Sequence, residues 1–142
     1  MIYLKRAYEA PDVADGYRIL VDRLWPRGVK MATAQIDCWL KEVAPTTSLR
    51  QWFHQEENRF AEFKTAYEKE LQETPQAEAF AKLQELVENY PVVTLVYAAK
   101  DQEHNQAVVL TTILEKSINI FKDIYYPFIY IMGIATGFVK CF

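Results

Sequence analysis

Cysteine is scarce in this sequence and poorly placed for chemistry: Cys38 and Cys141 stand far apart, with no CxxC and no Cys/His grouping. That excludes a zinc ribbon and a disulfide scaffold, and it suits a reducing cytosol. Missing too are a P-loop, a GxGxxG fingerprint, an HExxH helix and a GxSxG elbow. Walker-type ATP hydrolysis, dinucleotide binding on a Rossmann turn and zinc proteolysis lose their usual warrant. The opening MIYLKRAYEAPD has no apolar core of the signal-peptide kind, so a cytoplasmic location is expected. A broad basic face is absent as well: 16 Lys and Arg stand against 19 Asp and Glu, a net charge of −3. A dedicated duplex binder would carry the opposite balance.

What is present suits one globular domain. With 142 residues, 51% of them hydrophobic and 25% charged, the chain can bury a core without covalent staples. Its charge is unevenly spread. Six basic residues between Gly16 and His54 face three acidic ones, a local charge of +3, while the later helices are acid-rich. That asymmetry suggests an anionic ligand at a local patch.

The chain is organised around the stretch from Val92 to Leu110. A β-branched and apolar run, Val92–Tyr97, stops at Lys100-Asp101, and a helical apolar spacing follows through Ala107, Val108, Leu110, Ile113 and Leu114. A continuous apolar run suits a strand buried on both faces, and the i, i+3, i+4 spacing suits a helix over Glu103–Lys116 packed back onto the sheet. Tyr17–Val21 is a second such strand, again ending in charge at Asp22-Arg23. Ile2–Lys5 alternates as a short strand. Ala10–Gly16 is turn-rich.

Between these lie the other elements. Ile36–Val43 fits strand alternation and a helix face at once; Ala44-Pro45 ends it and favours the strand. Thr46 or Thr47 can cap a helix over Ser48–His54. Asn58–Leu71 carries Phe60, Phe63, Tyr67 and Leu71 on one stripe. Thr74-Pro75 reads as an N-cap and first helical residue for Gln76–Asn89. The expected fold is a single α/β domain, a mostly parallel sheet with helices on both faces, over residues 1–116. Residues 117–142 form an apolar extension. Its uncharged run Ile124–Val139 contains Pro127 and Gly133 and is short for a membrane span. A buried element, an oligomer contact and an interfacial anchor remain open for it.

Two blocks carry a family resemblance. The first is RILVDRLWPRGVK (Arg18–Lys30), followed by WLKEVAP (Trp39–Pro45) and LRQWF (Leu49–Phe53); the second is LVYAAKDQEHNQAVVL (Leu95–Leu110). In that order they resemble the YeaO-like bacterial family known as domain of unknown function 488, over roughly Gly16–Lys116. The resemblance implies a small α/β protein and assigns no established reaction. Some members carry a transcription-regulator label, but this sequence has no helix-turn-helix pattern. It also departs from the family after the WF pair, where His54 is followed by Gln55-Glu56-Glu57 rather than Asp-Pro. His54 is therefore set aside.

Open parallel sheets bind ligands at the carboxyl ends of their strands. If both inner strands run parallel, Asp22, Arg23, Lys100 and Asp101 share that edge. The functional expectation is that Arg23, Arg27 and Lys100 hold an anion, with Trp25 stacking on a ring and Asn105 orienting the ligand. The resemblance adds Lys41 and Arg50 to the anion-binding set. Asp22, Asp101 and His104 are the candidate acids and bases. The structural alternative pairs Asp22–Arg23 with Lys100–Asp101 as ion pairs, and makes Asp101 the N-cap of the helix. Trp39, Trp52 and Cys38 read as core. No metal-ligand set is expected, and no cofactor is named. The functions open to such an edge are an enzyme acting on a small phosphorylated or nucleotide-like anion, a non-catalytic binder of nucleic acid or a nucleotide signal, and a structural protein that oligomerises through its tail.

Overall fold

A computed structural model describes residues 1–56 and 58–132, with 120–132 described as backbone only. Four strands, β1 (Ile2–Arg6), β2 (Tyr17–Leu20), β3 (Cys38–Trp39) and β4 (Val93–Tyr97), form one sheet in the order β1-β4-β2-β3. All pairings are parallel, with Leu95 of β4 opposite both Leu4 and Ile19, and Ile19 opposite Cys38. The chain is thus a single α/β domain with β4 inside the sheet. All five residues of β4 are buried, which is why its sequence shows no polar alternation.

Strand parity divides the sheet residues between two layers. Ile19 and Val21, Cys38 and Leu40, and Val93, Leu95 and Tyr97 all join one core. Facing them are α3 (Phe60–Glu70), α4 (Gln76–Asn89) and α5 (Gln106–Met132), which supply Phe63 and Tyr67, Leu83 and Leu86, and Leu110 and Leu114. The short helix α2 (Thr47–Gln55) lays Leu49, Trp52 and Phe53 against the same core. The opposite face carries a loop layer rather than the helices expected there. Arg18, Leu20 and Val96 meet Trp25, Pro26, Val29, Ala34 and Ile36, a segment whose one helix is the single turn α1 (Met31–Ala34). The connection from β2 to β3 is interrupted by Pro26 and Gly28, which break up a longer helix there.

That second layer rests on a buried ionic cluster. The Arg18 guanidinium reaches Asp15 Oδ2 at 2.6 Å and donates to the carbonyls of Ala34 (3.1 Å) and Gln35 (3.2 Å). Lys5 Nζ lies 3.1 Å from Asp15 Oδ1. Burial works to raise Asp15, but the Asp12 amide, Lys5 and Arg18 together outweigh it and hold the carboxyl below its ordinary range. Arg18 is therefore a structural cation. Gly16 makes the turn into β2 at φ +63°, and a Cβ there would overlap the Val92 carbonyl that accepts the Tyr17 amide at 2.9 Å.

Several local expectations are corrected. The strand in Ile36–Val43 is only Cys38–Trp39, and Lys41–Val43 tightens into a 3-10 turn, so the ambiguous pattern reflects both geometries. The expected cap of α2 is met by Thr46, the first of the two candidates, whose hydroxyl oxygen accepts the Leu49 amide at 3.3 Å. Thr74 caps nothing: Pro75 is the residue before α4, with no side-chain cap bond. The last helix starts at Gln106, not Glu103, and continues past Lys116 to Met132. The run Ile124–Val139 is helical as far as Met132; its remainder lies outside the described residues. Among the described residues no helix is long and apolar enough to cross a membrane.

Candidate functional site

With all strands parallel, their carboxyl ends share one edge, and a cleft of about 1010 Å³ opens there. The loop after β2 supplies Asp22 to Arg27, and the turn after β3 supplies Ala44 and Pro45. The segment after β4 supplies Ala98–Asp101 and His104–Gln106. Arg50, Phe53 and His54 of α2 and Phe63 of α3 close the helical side.

Asp22 sits where β2, β4 and α5 converge. Its Oδ2 accepts the Ala98 amide at 2.9 Å, and its Oδ1 accepts from Gln106 Nε2. Burial raises its pKa to about 6, against the lowering effect of those two hydrogen bonds and of the Arg50 charge. Its proton is thus exchanged near neutrality rather than in acid.

Arg23 lines the cleft but is committed elsewhere. Its Nε donates to the Pro45 carbonyl and its Nη2 to that of Ala44, both at 3.1 Å, while Nη1 lies 3.6 Å from Glu42. It pins the corner between β3 and α2. Trp25 is a wall: its indole N–H donates to Val29 at 2.7 Å, and its ring meets Trp39 edge-on at 5.5 Å. Trp39 in turn donates to the Asp22 carbonyl at 2.8 Å. Lys41 is not brought into the cleft; its ammonium lies over the Trp39 ring, 4.8 Å from the centroid. Arg27, Arg50 and Lys100 are different. All three are exposed in the lining, and among the described residues their side chains make no hydrogen bond or ion pair.

Beyond β4 the expected cap is shifted by one turn of chain. Asp101 Oδ1 accepts the amides of Glu103 (2.9 Å) and His104 (3.1 Å), forming a turn ahead of the helix. Asn105 is the N-cap: it is buried, its Oδ1 accepts the Val108 amide at 3.0 Å, and its Nδ2 donates to the Asp101 carbonyl at 2.9 Å. It orients the backbone, and its polar atoms are already engaged. Asp101 Oδ2 lies 2.9 Å from His104 Nδ1, and the His104 ring meets Phe60 edge-on at 5.0 Å. The Glu103 amide first, and then His104, hold the Asp101 carboxyl below its usual range. The alternative in which Asp22–Arg23 pairs with Lys100–Asp101 is not met: among the described residues no ion pair joins the two doublets, and Asp22, Arg23 and Asp101 find other partners.

Chemically, the cleft combines three unpaired cations, a near-neutral carboxyl, an Asp–His pair and a wall of aromatic rings. No serine, threonine, cysteine or tyrosine is among its described lining residues, which leaves lysine, aspartate and histidine as the groups of the lining able to react. No group of three or more His, Cys, Asp or Glu among the described residues is placed to hold a metal. Sequence reasoning missed Gln106, Phe53 and Phe63 and set His54 aside. The two phenylalanines, stacked at 4.3 Å, carried only a core signal, and they serve the core and the cleft wall together. Gln106 gave no signal at all, because only the pairing of β2 with β4 brings Asp22 to the start of α5.

Known proteins align with the same fold-bearing span. The family described as "Inactive DUF488-N3 subclade" matches residues 1–127, wider than the blocks seen in the sequence. The uncharacterized protein YeaO of Escherichia coli is 43% identical over 109 residues, covering 77% of this chain and 92% of YeaO. Uncharacterized proteins of Mycobacterium bovis and Mycobacterium tuberculosis are 38% identical over 113 residues, covering 80% of this chain and 92% of each relative. No solved structure matches.

Proposed function

The chain belongs to the YeaO-like DUF488 family, and from that premise we propose that it is a non-catalytic binding protein for a small phosphorylated or nucleotide-like anion. The observation that carries this reading is the convergence of Arg27, Arg50 and Lys100 on one cleft without partners of their own. Cations that line a cleft without hydrogen-bonded partners can give an anion charge-assisted hydrogen bonds. The cleft, at about 1010 Å³, sits at the upper end of small-molecule sites and exceeds what a bare anion fills. Phe53, Phe63 and Trp25 supply apolar and aromatic surface for the rest of such a ligand. The cytosol, where such anions abound, is the compartment this reading assumes.

The word "inactive" in the family description and the lack of a hydroxyl or thiol side chain in the described lining favour binding over turnover. An enzyme acting on the same class of anion is the second reading, and one observation speaks for it. The Asp101–His104 pair, at 2.9 Å, has the geometry of a carboxylate orienting a general base.

The test is thermal unfolding of the purified chain with phosphate, nucleotides, sugar phosphates and short single-stranded oligonucleotides. Ligand at a hundred times its dissociation constant adds roughly 2.7 kcal/mol, a shift of several degrees in a domain of this size. A shift with small anions, lost in Arg50→Gln and Lys100→Gln, supports the reading. A shift with oligonucleotides alone, abolished by salt, replaces it with nucleic-acid binding. No shift with any of them refutes it. Turnover of a bound anion that disappears in His104→Ala would establish the second reading instead.

A further inference from the structure

We propose that Asp22 determines which anions the cleft accepts: it admits phosphate esters that carry hydroxyl or N–H donors, nucleoside monophosphates among them, and turns away bare oxyanions. The inference rests on the binding reading above and concerns the same cleft. A site made for a bare oxyanion surrounds it with cations and amide donors. Here an acid stands among the cations.

The position of Asp22 is set by the sheet. It follows Val21, whose amide donates to Val96 at 3.0 Å, and its carboxyl is tied to Ala98 just beyond β4 and to Gln106 at the start of α5. It is therefore anchored at the ends of the two inner strands and does not swing away when a ligand enters. One hydrogen bond reaches each oxygen, whereas an ionised carboxylate has about four acceptor sites. The remaining sites belong to a residue that lines the cleft. That burial raises its pKa to about 6 shows that the present partners do not replace the water it has lost. A donor on the ligand would do so. A sulfate, an acceptor only, would set negative charge beside negative charge.

The other charged and titratable groups around Asp22 leave this role to it. Arg23 and Arg27 come from its own loop, Arg50 and His54 from α2, and Lys100, Asp101 and His104 from the segment after β4. Tyr67 of α3 is coupled to it electrostatically. The second carboxylate of the described lining, Asp101, already accepts two amides and contacts His104. Asp22 is the one whose acceptor capacity is open.

Opposite pH responses follow for the two ligand types. A donor-bearing phosphate favours ionised Asp22, so this carboxyl strengthens its binding above about pH 6 and not below. A bare oxyanion is repelled above that pH and tolerated below it.

The experiment is calorimetric titration of wild type and Asp22→Asn with adenosine monophosphate and with sulfate, at about pH 5 and about pH 7.5. Comparing the two proteins at each pH cancels the nucleotide's own ionisation. At the higher pH, Asp22→Asn should weaken the nucleotide about tenfold, the scale of one hydrogen bond to a charged group, and tighten sulfate severalfold. Both effects should shrink at the lower pH. If Asp22→Asn moves both ligands alike, or neither, the inference is overturned. Wild type binding sulfate as tightly as the nucleotide also overturns it while leaving the binding reading intact; wild type binding neither removes both. Gln106→Met guards against a misfolded variant. It strips one donor from Asp22, so the pH at which nucleotide affinity rises should move upward, and an unmoved midpoint would contradict the role assigned to Asp22.

Discussion

Asp22 also makes a prediction about folding that needs no ligand. Its folded pKa is about 6 against an ordinary 3.8, so the folded state holds this proton more tightly than the unfolded chain does. The stabilisation is therefore complete below pH 3.8 and is lost as pH rises through about 6. Two pKa units correspond to roughly 3 kcal/mol, and partial exposure of the side chain reduces the expectation to about 2 kcal/mol. Asparagine keeps the shape and stays neutral, so Asp22→Asn should match wild type near pH 4 and exceed its stability by about 2 kcal/mol near pH 7. In a domain of this size that is roughly 6 °C in midpoint. Asp15 and Asp101 run the other way: their depressed carboxyls contribute stability that is lost as pH falls. They are present in both proteins and cancel in the difference. The assay is urea unfolding of the two proteins at four pH values between about 4 and about 7, with equal slopes confirming that ΔG alone has changed. A stability difference that stays constant across that range would refute the burial argument for Asp22.

Two further substitutions test the frame that holds the cleft. Gly16→Ala should destabilise by about 2 kcal/mol or more, because φ +63° disfavours a side chain and the new Cβ would meet the Val92 carbonyl; guanidinium unfolding showing a cost below about 0.5 kcal/mol would mean that the turn simply rearranges. Tyr67→Phe should cost about 1–3 kcal/mol, since the buried hydroxyl donates to the Val43 carbonyl and phenylalanine leaves that acceptor unsatisfied; equal midpoints for variant and wild type would contradict it.

Much was legible in the sequence for a specific physical reason. Burial on both faces of a parallel strand favours a near-continuous apolar run, so Tyr17–Val21, despite Arg18, and Val92–Tyr97 announced themselves as inner strands, and their charged ends marked the edge where the cleft lies. The stripe Phe60, Phe63, Tyr67 and Leu71 fixed the face of α3 in the same way. Such signals are local: each depends on residues within a few positions of one another. The pairing of polar groups is not local. Nothing near Arg23 in sequence says that its donors go to Ala44 and Pro45, or that Lys41 rests on Trp39 outside the cleft. Asp101 and Asn105 are both capable caps four residues apart, and the choice fell to Asn105, whose side chain is buried and bonds both ways. Composition and periodicity thus determined the α/β class, the inner strands and the edge that carries charge. Tertiary structure alone decided which of those charges remain unpaired, because a guanidinium or carboxylate takes whichever donors and acceptors the sheet order brings within about 3 Å.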